Sequence, residues 1–198
     1  MSFLIAVHVN EGIVLASDRR TTGEGALLGT PITGYIQEMI RNKIDENCDI
    51  EDIPNILIQY FRNFENVPDT NFIVAGYKTV ADKKEQKIYK LNVKYGNIEK
   101  IDTSTQGATW DGETSTLTRL IQDVAVRDNE GNYINLPYEE IMWGYFTLQD
   151  AIDFARYAVE TIIQTMRFKK VVETVGGDVD ILVITPEKTK WLQKAEIK

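Results

Sequence analysis

Apolar residues fill Phe3, Leu4, Ile5, Ala6, Val7 and Val9, give way to Asn10, Glu11 and Gly12, and resume at Ile13, Val14, Leu15 and Ala16. Two β-rich runs closing around a short polar loop predict an antiparallel hairpin, with Gly12 at a position of positive φ. His8 falls in the first strand, on the face of Leu4 and Ala6. It reads as a packed or edge-facing strand histidine, with a catalytic role as the alternative.

Thr30–Pro31 predicts an N-cap and a first helical residue, after which Ile32, Ile36, Met39, Ile40 and Ile44 recur at helical spacing. Ile53, Ile56, Leu57, Tyr60, Phe61 and Phe64 repeat that stripe in a second helix, closed by Pro68 and Asp69. Strands are predicted over 71–80 and 86–95, joined by a charged turn at Asp82, Lys83 and Lys84, with a third over 98–103. A helix over 113–124 carries Leu117, Leu120, Ile121 and Val124. Thr147 and Asp150 form a capping-box start for a long helix with Ala151, Ile152, Ala155, Val159, Ile162, Ile163 and Met166 inward. Residues 180–185 and 189–192 finish the chain as strands.

This order has no βαβ alternation. It predicts an α+β domain in which antiparallel strands pack between helical layers. With 198 residues, no internal repeat and no linker, a single domain over 1–198 is expected. The aromatic-rich connection over 127–146, with Tyr133, Tyr138, Trp143, Tyr145 and Phe146, reads either as a packed cover or as a subunit interface.

Charge narrows the function. The 22 basic and 30 acidic residues leave a net charge of −8, which argues against nucleic-acid or anionic-membrane partners. Cys48 is alone and cannot form an intramolecular disulfide, and the N-terminus does not read as a leader, so a cytoplasmic protein is expected. The apolar runs are too short to span a bilayer. One histidine excludes a metal site needing two imidazoles and makes any Ser-His-Asp triad depend on His8. Gly23, Gly25 and Gly29 superficially resemble a dinucleotide fingerprint, but they follow a hairpin instead of a strand entering a βαβ unit. Asp128 to Gly131 lacks calcium-loop spacing, and it reads as a surface turn, as do Gly176, Gly177 and Asp178.

The sharper signal is Ser2. A small residue after Met1 permits removal of the initiator methionine, leaving a hydroxyl and a free α-amine on one residue. An α-amine has a reference pKa of about 7.7–8.0, so near neutral pH it can take the hydroxyl proton.

Around Ser2, the stretch 2–20 with its EGIVLASDRR ending resembles the opening of proteasome β-type subunits, bacterial proteasome-like members of the N-terminal nucleophile (Ntn) hydrolases. FIVAGY over 72–77, IYKL over 88–91 and Tyr95-Gly96 are similar to the family's middle hairpin. The DAIDFAR segment from Asp150, with GGDVDILVI from Gly176, resembles its last helix and closing strands. The resemblance implies a four-layer αββα sandwich, amide hydrolysis of peptide substrates in a homo-oligomeric ring, a possible unfolding ATPase partner, and no cofactor. It places Ser2 at the nucleophile, Asp18 at the supporting aspartate and Gly23 at the oxyanion-binding stretch.

The chain also departs from the family. The family's lysine follows its aspartate by a strand, where its charge would lower the amine's pKa, yet no lysine precedes Lys43. Against the family's pattern two strands are missing where Thr22 runs into Gly23, so a longer polypeptide is expected at that join. Near the closing turn only Glu173 and Thr174 are polar between Val172 and Val175, and the register around Thr105 to Thr109 is ambiguous. The expected activity is N-terminal-serine amidohydrolysis, with an inactive ring-forming or scaffold subunit as the alternative.

Overall fold

Strands β1 (Phe3–Val9) and β2 (Gly12–Asp18) pair antiparallel, from Leu4 opposite Ser17 to Val9 opposite Gly12. The structure is a computed structural model that describes residues 2–20, 26–27, 30–45 and 47–194. Gly12 does not adopt the positive φ expected of it. It is required for another reason: a Cβ there would meet the Ile184 carbonyl oxygen at 2.8 Å.

Thr30–Pro31 is β4, paired with β3 (Ala26–Leu27), where an N-cap and a first helical residue were expected. Helix α1 (Ile32–Lys43) starts directly after it, and α2 (Ile53–Arg62) follows with proline in its first turn. β5 (Asn71–Val80), β6 (Lys83–Asn92) and β7 (Asn97–Lys100) form the expected meander. Its first turn is tighter than predicted: Ala81 and Asp82 take φ of 47° and 64°, so Lys83 and Lys84 already belong to β6. β8 (Gly107–Gly112) was not foreseen, and it leads into α3 (Ser115–Ile121), shorter than expected.

Within the aromatic connection, β9 (Ala125–Arg127) and β10 (Tyr133–Asn135) form a small hairpin. Trp143 and Phe146 pack on Phe154 as a cover, while Tyr133 and Tyr145 stay exposed. α4 (Leu148–Met166) opens with the capping box: the Asp150 N–H donates to Thr147 Oγ1 at 3.2 Å, and the Thr147 N–H donates to Asp150 Oδ2 at 2.8 Å. β11 (Val179–Ile184) and β12 (Thr189–Gln193) end the fold. The larger sheet runs β12-β11-β2-β1-β8, the smaller β5-β6-β7.

Period-two alternation divides β1 between two apolar clusters. Phe3, Ile5, Val7 and Val9 pack with Leu117 of α3 and with Ala151, Ala155, Val159 and Ile162 of α4. Ala6, with Ile13 of β2, turns the other way and meets Ile88, Ile73 and Ala75 of the smaller sheet. The far face of that sheet presents Leu91, Phe72 and Val74 to Met39, Leu57, Ile58 and Phe61 of α1 and α2. Each fully buried Leu, Ile or Phe contributes roughly 1.5–3 kcal/mol, so β1, apolar on both faces, anchors the molecule. Among the described residues no helix is long and apolar enough to cross a membrane.

Candidate active site

The edge of interest is where β1 begins. Phe3 pairs with Gly112 of β8 and Leu4 with Ser17 of β2, so the backbone preceding β1 emerges between two fixed neighbours. The exposed Ser2 is held there by its carbonyl, which accepts the Glu113 N–H at 3.1 Å. Gly112 makes this possible: its φ is +89°, and a Cβ on it would lie 1.8 Å from the Ser2 oxygen. Ser2 Oγ donates a long hydrogen bond of 3.5 Å to the Arg20 carbonyl.

Asp18 ends β2 and is 7% exposed. Its Oδ1 accepts the Phe3 N–H at 2.8 Å, and its Oδ2 accepts the Gly176 N–H at 2.9 Å and the Arg20 N–H at 3.2 Å. Burial pushes this carboxyl above its ordinary range, opposed by the backbone N–H groups that favour the anion. Asp18 does not hydrogen-bond Ser2 Oγ. It fixes the main chain immediately after Ser2 and at Arg20, whose carbonyl Ser2 Oγ reaches, so it acts as a positioning residue.

Two arginines lock the third side. Arg19 pairs with Asp178 at 2.9 Å and Asp180 at 2.7 Å, and its N–H donates to the Gly176 carbonyl at 3.2 Å. Arg20 pairs with the Glu173 carboxylate at 2.7 Å and donates to the Glu173 carbonyl at 2.9 Å. Its guanidinium lies over Gly176, where an added Cβ would come within 2.8 Å of Nε. The expected turn at Gly176, Gly177 and Asp178 is present, with Gly177 at φ +78°.

Lys169, just beyond α4, donates to Thr116 Oγ1 at 3.0 Å and Ser115 Oγ at 3.3 Å, beside Glu113. The charged ends of Arg19, Arg20 and Lys169 are thus paired with groups other than Ser2. Of the two polar residues expected near the closing turn, Glu173 is taken up by Arg20, and the buried Thr174 Oγ1 has no partner among the described residues. Among the described residues no cluster of metal-ligating side chains forms.

The structure therefore brings Ser2 and Asp18 to one strand edge through the intervening Phe3 N–H. Gly23 and the Thr22 to Gly23 join lie outside the described residues. Sequence reading missed Gly112, Glu113 and Lys169. Gly112 followed directly by an acidic residue and a helix start was the available signal; nothing local marked Lys169.

No protein-family model and no curated protein matches the chain. Solved structures do. Anbu (ancestral beta-subunit) from Yersinia bercovieri is similar at 10% identity and a TM-score of 0.60, over 97% of this chain and 87% of that one. The Anbu (Gly-1) mutant from Hyphomicrobium sp. strain MC1 is similar at 12% identity and a TM-score of 0.61, over 100% of this chain and 89% of that one. These matches correct the sequence-based reading of a proteasome β-type subunit: the similar structures are ancestral beta-subunits. The quoted motifs lie in β1, β2, β5, β6, α4 and β11, elements of the shared fold, so they do not separate its branches. At such identity the likeness shows the fold alone.

Proposed function

We propose that this chain is an N-terminal-serine amidohydrolase, built as a four-layer αββα sandwich and working in a proteasome-like ring of copies. The observation that carries this reading is the fixed, exposed Ser2 at the mouth of β1, its flanking backbone held by Asp18 and Glu113. With Met1 removed, the Ser2 α-amine takes the Oγ proton as Oγ attacks the substrate carbonyl carbon. The C–N bond then breaks, the amine leaves with that proton, and water hydrolyses the ester on Ser2. The Gly23 N–H is assigned to the oxyanion, a role worth about 3–4 kcal/mol in other enzymes.

A second reading, an inactive ring or scaffold subunit, is favoured by one observation: the charged ends of Arg19, Arg20 and Lys169 are each paired with groups other than Ser2. A β-lactone or acyl probe with intact-mass readout decides between them. Mass addition at Ser2 in a protein lacking Met1, absent in Ser2→Ala, is the expected result. A protein that keeps Met1, or labels equally in Ser2→Ala, sinks the enzyme. Light scattering tests the ring: a clean monomer of 22.6 kDa removes it.

A further inference from the structure

The hairpin end of β1 holds a second site. His8 lies six residues from Ser2, about 20 Å along an extended strand at roughly 3.3 Å per residue, so the two ends of β1 are chemically separate. There, between the sheets, a cleft of about 650 Å³ opens, within the size range of small-molecule sites.

His8, the single histidine of the chain, is 4% exposed and lines this cleft, and its ring makes no hydrogen bond to the described residues. Ring nitrogens without a protein partner here keep access to the cleft, where solvent or a ligand meets them. Gly107 gives the ring room: a Cβ there would lie 3.3 Å from Nε2.

The charges facing His8 come from both β6 and the chain leaving β7. Lys84, Lys87 and Lys100 line the cleft against Glu85 and Asp102, an excess of positive charge in a protein of net charge −8. Lys87 is paired with Glu85 at 2.7 Å, and Lys100 reaches Glu51 at 3.3 Å, while Lys84 has no ion-pair partner among the described residues. The walls are pre-set. Gln86 donates from Nε2 to the Val9 carbonyl at 2.6 Å, and Gln106 accepts the Asn10 N–H at 2.6 Å while donating to the Trp143 carbonyl at 2.7 Å.

We infer that this cleft binds a small polyanion of the phosphate class, with Lys84 and Lys100 as its point charges and His8 as a donor at its floor. Lysines without arginine favour a compact, multiply charged group over a planar carboxylate. Burial lowers the His8 pKa and the Asp102 charge opposes this, so the empty protein disfavours the protonated ring. A bound anion favours the protonated ring, so affinity rises as the pH falls.

Titration calorimetry of the full-length protein with pyrophosphate, and separately with citrate, tests this at about pH 6 and about pH 8. Saturable pyrophosphate binding is expected, weakened about tenfold in Lys84→Gln, the factor carried by one charge-assisted hydrogen bond. The gain at low pH should shrink in His8→Gln relative to wild type. Lys84 sits on the exposed hairpin, so its variant keeps the test valid should His8→Gln fail to fold. Citrate binding as tightly as pyrophosphate overturns the phosphate assignment. Absent pyrophosphate binding, or binding unchanged in Lys84→Gln and Lys100→Gln, overturns the site. Ser2→Ala binds pyrophosphate as wild type does, so this result stands or falls apart from the amidohydrolase reading.

Discussion

A methyl group built on Gly112 would sit 1.8 Å from the Ser2 carbonyl oxygen, and the Gly112 backbone is at φ +89°. Both facts demand glycine at the residue that receives the start of β1. Gly112→Ala must therefore push β8 away from β1 or twist the Ser2 peptide. The expected result is a loss of roughly 1–3 kcal/mol in urea unfolding, with probe labelling at Ser2 lost before the fold is. Unchanged labelling in Gly112→Ala would mean that the Ser2 backbone position does not matter to its reactivity.

Asp18→Asn keeps the shape but offers one carbonyl oxygen where two carboxylate oxygens accept three N–H groups. An amide NH₂ would face the Gly176 or Phe3 N–H, and a cost of about 1–3 kcal/mol is expected. The pH dependence has a definite sign. Because burial raises the Asp18 pKa in the folded state, the native protein holds this proton more tightly than the unfolded chain. The wild type should thus lose stability relative to Asp18→Asn as pH rises from the unfolded aspartate value through the raised native one. Urea unfolding of both proteins across the acid range measures that difference, and a difference flat with pH refutes the assignment.

Glu51 shows the opposite sign. Hydrogen bonds from Lys78, Tyr89 and Lys100 lower its carboxyl from 4.5 to about 2. A depressed native pKa contributes stability above the unfolded value, lost as pH falls toward about 2. Acid unfolding followed by circular dichroism should be less steep in Glu51→Gln than in wild type over that window.

Arg20→Met separates anchoring from stability. The Arg20 and Glu173 side chains are 36% and 42% exposed, and pairs so open to solvent contribute at most about 1 kcal/mol. Global stability should barely change. The segment 167–175, however, loses its tie to β2, and limited proteolysis should cut there faster. Equal cleavage rates in the two proteins would show that Glu173 does not need Arg20.

The hairpin, the meander and α4 were legible because each is written in local pattern: the run broken at Asn10 and Glu11, the turn residues near Asp82, the Thr147 to Asp150 box. β8 was not. Ala108 and Trp110 alternate with Thr109 and Asp111 between two glycines, too brief and too polar a signal to outweigh a loop. The site divides in the same way. Ser2 and Asp18 could be marked from the resemblance of the first twenty residues, but the groups that hold them come from β8, the end of α4 and the turn before β11, and sequence adjacency carries no trace of those meetings. The Gly12 expectation failed because the constraint there is a neighbouring strand's carbonyl, not the turn itself.

The Asp18 carboxylate joins residues 3, 20 and 176, and β2 lies between β1 and β11. On a ribosome, β2 is therefore made long before the β11 strand that completes it. Until Gly176 and β11 have been made, Asp18 lacks one of its three donors and β2 presents an open edge. The fold thus delays its own serine: a nascent or truncated chain exposes Ser2 without the frame that holds it, and the frame arrives only with the closing strands.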